Sequence, residues 1–186
     1  MRHVRGVLFL DYVKMLRAQK SSEISAHLLP DDLAYLQHQI DPDAWYPMPV
    51  FERLGCAILA TVTRGDVFPV RLWGRYSAQQ LHQTYPTLLA PGDPVETLSR
   101  FRVLRETFFD FPAVTVPLLH DDEAEVTIQY YMGPVAEEAA ANQAMGFFES
   151  LLTLAGARDV EAQFVERAWD GCPRTLLVLR WRSNHA

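Results

Sequence analysis

A chain of 186 residues, 49% hydrophobic and 22% charged, has the composition of an ordinary globular protein and the length for one well-packed core. Its formal net charge of -6 gives a nucleic-acid partner no electrostatic support. Two cysteines make no disulfide scaffold, and the apolar stretch after Met1 is broken by Asp11 and Lys14, so neither a signal peptide nor a membrane span is expected and a cytoplasmic location follows by default.

Val7 to Ala18 has helical spacing, with Leu8, Tyr12, Met15 and Leu16 on one face. A short helix is expected over Glu23 to Leu29. Pro30-Asp31-Asp32 then starts a helix over Leu33 to Ile40. Asp41 to Pro49, with three prolines and the pair Trp45-Tyr46, reads as an ordered connection. Val50 to Thr63 is a helix carrying Phe51, Leu54, Ile58 and Val62 on one side. Cys56 lies in this run as a small buried hydrophobe. Arg64-Gly65-Asp66 ends it, and a helix-terminating glycine accounts for the tripeptide better than integrin recognition. Val67 to Tyr85 reads as two short helices broken near Ser77. After the loop Ala90 to Pro94, Val95 to Phe109 is amphipathic, with Leu98, Phe101 and Phe108 inward and its arginines outward.

The pattern then changes. Ala113 to Leu119 is strand-like. Ala124, Val126, Ile128 and Tyr130 alternate with polar residues, the mark of a strand with one buried face. Gly133-Pro134 sets up a helix to about Leu154, with Glu137 and Glu138 at its positive end and Gly156 as its C-cap. Val160 to Ala168 and Arg174 to Trp181 form a hairpin across Asp170-Gly171. The expected fold is α+β: one domain over residues 1–186, mainly helical over 1–110, then a four-stranded antiparallel sheet with one long helix.

There is no P-loop, Rossmann glycine pattern, HExxH, paired CxxC or nucleophile elbow. The six histidines make no compact metal-binding pair with each other or with cysteine. His120-Asp121-Asp122-Glu123 could hold a metal or supply an acid–base pair, but a polar hairpin turn explains the same residues. Asp31-Asp32 and Asp41 with Asp43 stand beside helix starts and read as caps. Trp45, Tyr46, Phe51, Trp73 and Tyr76 are the candidates for lining a ligand pocket, with burial in the core as the competing explanation. In Trp73-Gly74-Arg75-Tyr76 the glycine permits a close approach between backbones.

Two regions resemble a known family. Val4 to Leu16 looks like the opening of a haem nitric-oxide/oxygen-binding (H-NOX) domain. Val126 to Tyr131, Gly146 to Gly156 and Leu177 to Trp181 look like its final sheet and helix. The wider superfamily includes vinyl-4-reductase-like domains and TRAPP trafficking subunits, and within it the chain looks most like a paralogous family of myxobacterial proteins. The resemblance implies an axial His on the helix before the sheet, yet the matching Ser99 to Arg105 contains none. It also implies a Tyr-x-Ser-x-Arg motif for the haem propionates. With Tyr130 as its tyrosine, Met132 and Pro134 stand at the Ser and Arg places. Losing the axial base removes the iron bond, and losing the Arg removes a bidentate carboxylate clamp. The expectation is a non-enzymatic sensor or adaptor without cofactor or metal. It would bind a small apolar molecule between its helical half and its sheet, or a protein partner. The alternatives are a structural homodimeric module, as the relatives imply, and an enzyme using His120 with Asp121 or Asp122.

Overall fold

The computed structural model describes residues 1–183, so His185 lies outside the described residues. The chain divides into two compact units, Met1–Val67 with Glu106–Phe111, and Phe68–Arg105 with the chain from Pro112 onward.

The first unit holds strand β1 (His3–Arg5) and helices α1 (Gly6–Arg17), α2 (Ser21–Ile24) and α3 (Pro30–Gln37). Strand β2 (Trp45–Pro47) and helix α4 (Met48–Thr61) complete it. The two short strands were not expected from the sequence. They pair antiparallel, Val4 opposite Tyr46, and three residues are too few to show an alternating pattern. The returning segment joins them: the Arg5 N–H donates to Phe108 O at 2.7 Å, and the Asp110 carboxylate takes the His3 backbone N–H at 2.7 Å. The expected helix through Phe109 therefore ends early, because Phe108 and its neighbours are drawn into extended pairing. The core of this unit is Val4, Phe9, Val13, Leu16, Leu54 and Ala57, all fully buried.

Asp32 combines the expected capping role with a second one. Its carboxylate accepts the Leu29 N–H at 3.0 Å, and both its oxygens take Arg53, Nε at 2.6 Å and Nη2 at 2.8 Å. Burial opposes its charge, but the Arg53 guanidinium and the Leu29 N–H outweigh that, and the carboxyl is held below the ordinary range. A depressed folded value means that the stabilisation is complete above the unfolded value, about 3.9, and is lost as pH falls through the folded one. Asp32→Asn is therefore expected to cost about 1–3 kcal/mol at pH 7, with a smaller deficit at a pH below the unfolded value. Urea melts of both proteins at the two pH values measure this, and a deficit independent of pH would contradict it.

The second unit contains α5 (Phe68–Thr84), α6 (Pro94–Leu104), α7 (Pro134–Leu154) and strands β3 (Val114–Leu119), β4 (Glu123–Ile128), β5 (Arg158–Glu166) and β6 (Thr175–Arg182). The four strands form one antiparallel sheet in the order β3-β4-β6-β5. This is the expected α+β arrangement. The expected break near Ser77 is absent, and α5 runs unbroken. The Ser77 hydroxyl donates to Trp73 O at 3.1 Å and is satisfied within the helix.

Period-two alternation sets the sheet's faces. Ala124 stands opposite Leu179, Val126 opposite Leu177 and Ile128 opposite Thr175, all fully buried. The other face carries Glu123, whose carboxylate takes Arg180 Nε at 2.7 Å. The two edges resist pairing with other chains: β3 has Pro117 and a register shift, and β5 has charged residues and two register shifts. Helix α7 is apolar almost all round, as befits a helix packed on several sides, and it contacts α5, α6, β5 and β6.

Where α5 meets α7, backbone touches backbone. A Cβ on Gly74 would stand 1.9 Å from Gln143 O, and one on Gly146 would stand 1.9 Å from Arg71 O. Only residues without side chains allow this crossing. Beside it, the buried Glu149 carboxylate accepts from Arg71 and, at 2.9 Å, from Arg75 Nη2. These three charges fix the register of a contact that the glycines make close.

Candidate functional site

The aromatic residues of the first unit form a continuous stack. The Tyr46 ring lies 4.4 Å from Phe9 at 14°, and Phe51 lies 4.2 Å from Tyr12 at 20°. Tyr35 meets Phe9 edge-on at 5.2 Å. The Tyr46 hydroxyl accepts the Asp41 N–H at 3.0 Å, tying the stack to the loop before β2. Trp45 stands apart at the surface, 42% exposed, with the Arg5 guanidinium 5.0 Å from its ring. Of the expected pocket residues, then, Tyr46 and Phe51 share neighbours in one core, while Trp45 covers its outside.

Trp73 and Tyr76 belong to α5 in the second unit and contact each other, ring centroids 5.7 Å apart. Tyr76 is half exposed. The Trp73 indole N–H is buried and has no hydrogen-bond partner among the described residues. A buried donor without an acceptor is costly, which makes this the place in the aromatic set where a bound polar atom would be gained most favourably.

Burial shifts three neighbouring titratable groups of the first unit. Burial pushes the Asp11 carboxyl up, pushes the Tyr12 phenol far up with help from Asp11 and Cys56, and pushes the Cys56 thiol up with help from Glu52. All three shifts favour the neutral form, the reverse of what an activated nucleophile needs. His120, Asp121 and Asp122 sit exposed in the β3–β4 turn, where the His120 N–H donates to Glu123 O at 2.8 Å. The enzyme reading requires a cleft at His120, and an exposed turn offers none. No group of three His, Cys, Asp or Glu among the described residues could hold a metal ion. No described helix is long and apolar enough to cross a membrane.

The Arg71–Glu149–Arg75 cluster was not anticipated. The spacing of Arg71 and Arg75 on one helix face was visible, but their shared partner lies more than seventy residues away in sequence. An open groove in the first unit also gave no signal. It has a volume of about 460 Å³ and is lined by Leu16, Ile24, Leu33 and Leu36 with Arg17, Gln19, Ser22, Ser25 and Gln37. Ordinary leucines and surface amides carry no pattern that marks a concavity.

Comparison with solved structures identifies the architecture. The Fe(II) unliganded H-NOX protein from K. algicida matches with a TM-score of 0.67 and 11% identity, over 98% of this chain and 98% of its own. A mutant H-NOX of T. tengcongensis matches at 0.62 and 13%, over 96% and 98%. The H-NOX protein of S. oneidensis in its Fe(II)NO ligation state matches at 0.61 and 10%, over 96% and 99%. No family model matches the sequence, and no curated protein matches it. The chain has the H-NOX fold.

The haem implied by that fold does not fit the residues present. Helix α6 contains no His, Cys, Met or Tyr that could ligate iron. Its side chains are committed elsewhere. Thr97 donates to Asp93 O at 2.9 Å, and Phe101 meets Phe148 edge-on at 5.0 Å. Arg100 holds the carbonyls of Thr87 and Leu89, and Arg102 holds Val116 O at 2.8 Å. The segment after β4 is equally unsuited. Beginning at buried Tyr130, the Ser and Arg places hold Met132 and Pro134; beginning at exposed Tyr131, they hold Gly133 and Val135. The Met132 N–H donates to Glu137 Oε1 at 2.9 Å, which sets a carboxylate, not a cation, against this segment.

Proposed function

We propose that residues 1–186 work as one non-enzymatic sensor or adaptor domain that keeps the H-NOX scaffold, has lost haem, and responds to a small, largely apolar molecule. The observation that carries this reading is the pairing of near-complete fold coverage with an α6 that holds no iron ligand. The scaffold remains, and helix α6 offers no side chain to hold a haem iron in it. Support for a ligand comes from Trp73, whose buried indole N–H a carbonyl or hydroxyl of a bound molecule would satisfy. Tyr76, whose ring lies 5.7 Å from that of Trp73, is the other contact candidate in the same unit.

The test is native mass spectrometry of protein purified from its own host under non-denaturing conditions. The expected result is the mass of the chain plus a small apolar molecule and no haem, with the added mass lost in Trp73→Phe, which removes the donor but keeps an aromatic ring. Bare protein alone would count against a resident ligand.

A second reading, a homodimeric interaction module, is favoured by one surface feature. Phe68, Leu72 and Tyr76 recur every four residues along α5 and are 59%, 45% and 50% exposed. Such a stripe faces one direction and suits a partner helix. A monomeric mass in light scattering at high protein concentration would remove this alternative.

A further inference from the structure

We infer that the groove bounded by α1, α2 and α3 is a binding site for a neutral, mainly apolar small molecule, separate from Trp73 and the aromatic stack. The inference rests on what lines it. Leu16 and Ile24 form a floor that is almost completely buried, and Leu33 and Leu36 rise from it half-buried. The rim is made of two amides, Gln19 and Gln37, and two hydroxyls, Ser22 and Ser25. An apolar floor under a few neutral hydrogen-bonding groups is the usual make-up of a small-molecule site, and about 460 Å³ falls within the usual size.

The charge of the ligand follows from Arg17, the one ionised side chain in the described lining. Its guanidinium is already spent on the end of α3: Nε donates to Leu36 O at 2.8 Å, and Nη2 donates to Tyr35 O at 3.3 Å and to His38 O. Carbonyls left open at a helix C-terminus need such donors, so the arginine is held in place as a wall. Its Nε and Nη2 hydrogens are thereby taken by the backbone. No carboxylate lines the groove to attract a cation. A cation would give up its hydration here and meet the charge of Arg17, and an anion would find that arginine exposed to water with Nε and Nη2 already taken, whereas a neutral molecule loses little and gains the floor. The serines and glutamines then choose among neutral ligands by their hydroxyl, carbonyl or amide groups.

The experiment uses Nile red, a neutral apolar dye, titrated against the full chain by fluorescence, with anionic anilinonaphthalene sulfonate as the charged comparison. Saturable Nile red binding that depends on the groove is expected, tighter than that of the anionic dye. Ser25→Trp and Gln37→Trp, both at exposed rim positions, are each expected to weaken it tenfold or more. Asp122→Asn, in the exposed β3–β4 turn, should leave it unchanged. Hydrogen exchange of the wild type with and without Nile red gives an independent reading: protection should concentrate in residues 16–37, whether or not the variants fold. Absence of saturable binding, binding that ignores both rim variants, or protection confined to other segments would overturn the assignment. Nile red binding lost in Trp73→Phe but kept in the rim variants would do the same while leaving the proposed sensor function intact.

Discussion

Gly146→Ala is expected to destabilise the protein by about 2 kcal/mol or more, or to prevent α5 and α7 from docking. In an exposed helix interior the same change would stabilise by about 1 kcal/mol, because alanine is the better helix former. The sign reverses here because the new methyl meets Arg71 O at 1.9 Å, and a backbone carbonyl cannot swing aside as a side chain can. Relief requires the helices to move apart, which opens voids along their whole contact. Gly74→Ala is expected to behave alike against Gln143 O, and the two changes should not add, since one separation of the helices relieves both. Gly55→Ala is the control. Its methyl would meet only a ring carbon of Tyr12 at 3.3 Å, and a change within about 1 kcal/mol is expected. Denaturant melts of the three variants decide the matter, and a Gly146→Ala protein as stable as the parent would refute the crossing.

Glu149→Ala is the second large effect, a loss of about 2–4 kcal/mol. The carboxylate is 7% exposed and accepts from two arginines at once. Removing it leaves Arg71 and Arg75 facing each other without a counter-ion. Their partial exposure lets water recover some of the cost, which keeps the figure below that of a fully buried break. Arg71→Met combined with Glu149→Leu should restore part of the loss, because the pair is then replaced by apolar groups of similar size. A loss under about 0.5 kcal/mol for Glu149→Ala would place the cluster with ordinary surface ion pairs.

The elements that the sequence foretold best are those whose signal is local and long. Helix α7 has Pro134 at its start and ends two residues before Gly156, and both boundaries were readable. The alternation of β4 announced which residues it buries. Gly74 between two bulky residues pointed to a close approach, although its partner Gly146 could not be read, since the match exists only in three dimensions. Strands β1 and β2 escaped notice because each has three residues and owes its form to pairing with distant chain. The break expected at Ser77 shows local preference overridden by packing, with the hydroxyl satisfied one turn back. The aromatic candidates were chosen by residue type, which does not reveal that Phe51 belongs to a core, Trp45 to a surface and Trp73 to another unit. The missing haem ligands were legible for the opposite reason, because coordination chemistry depends on residue identity at a few positions.

That absence is the centre of the account, and the haem content of the protein tests it most directly. The protein should be produced in haem-replete cells and examined by visible absorption together with native mass spectrometry. Expected are no Soret band from a coordinated iron, no change on adding excess haem beyond the spectrum of free haem, and no haem mass in the native ions. A stoichiometric haem adduct with a Soret band that shifts on exposure to nitric oxide would contradict it.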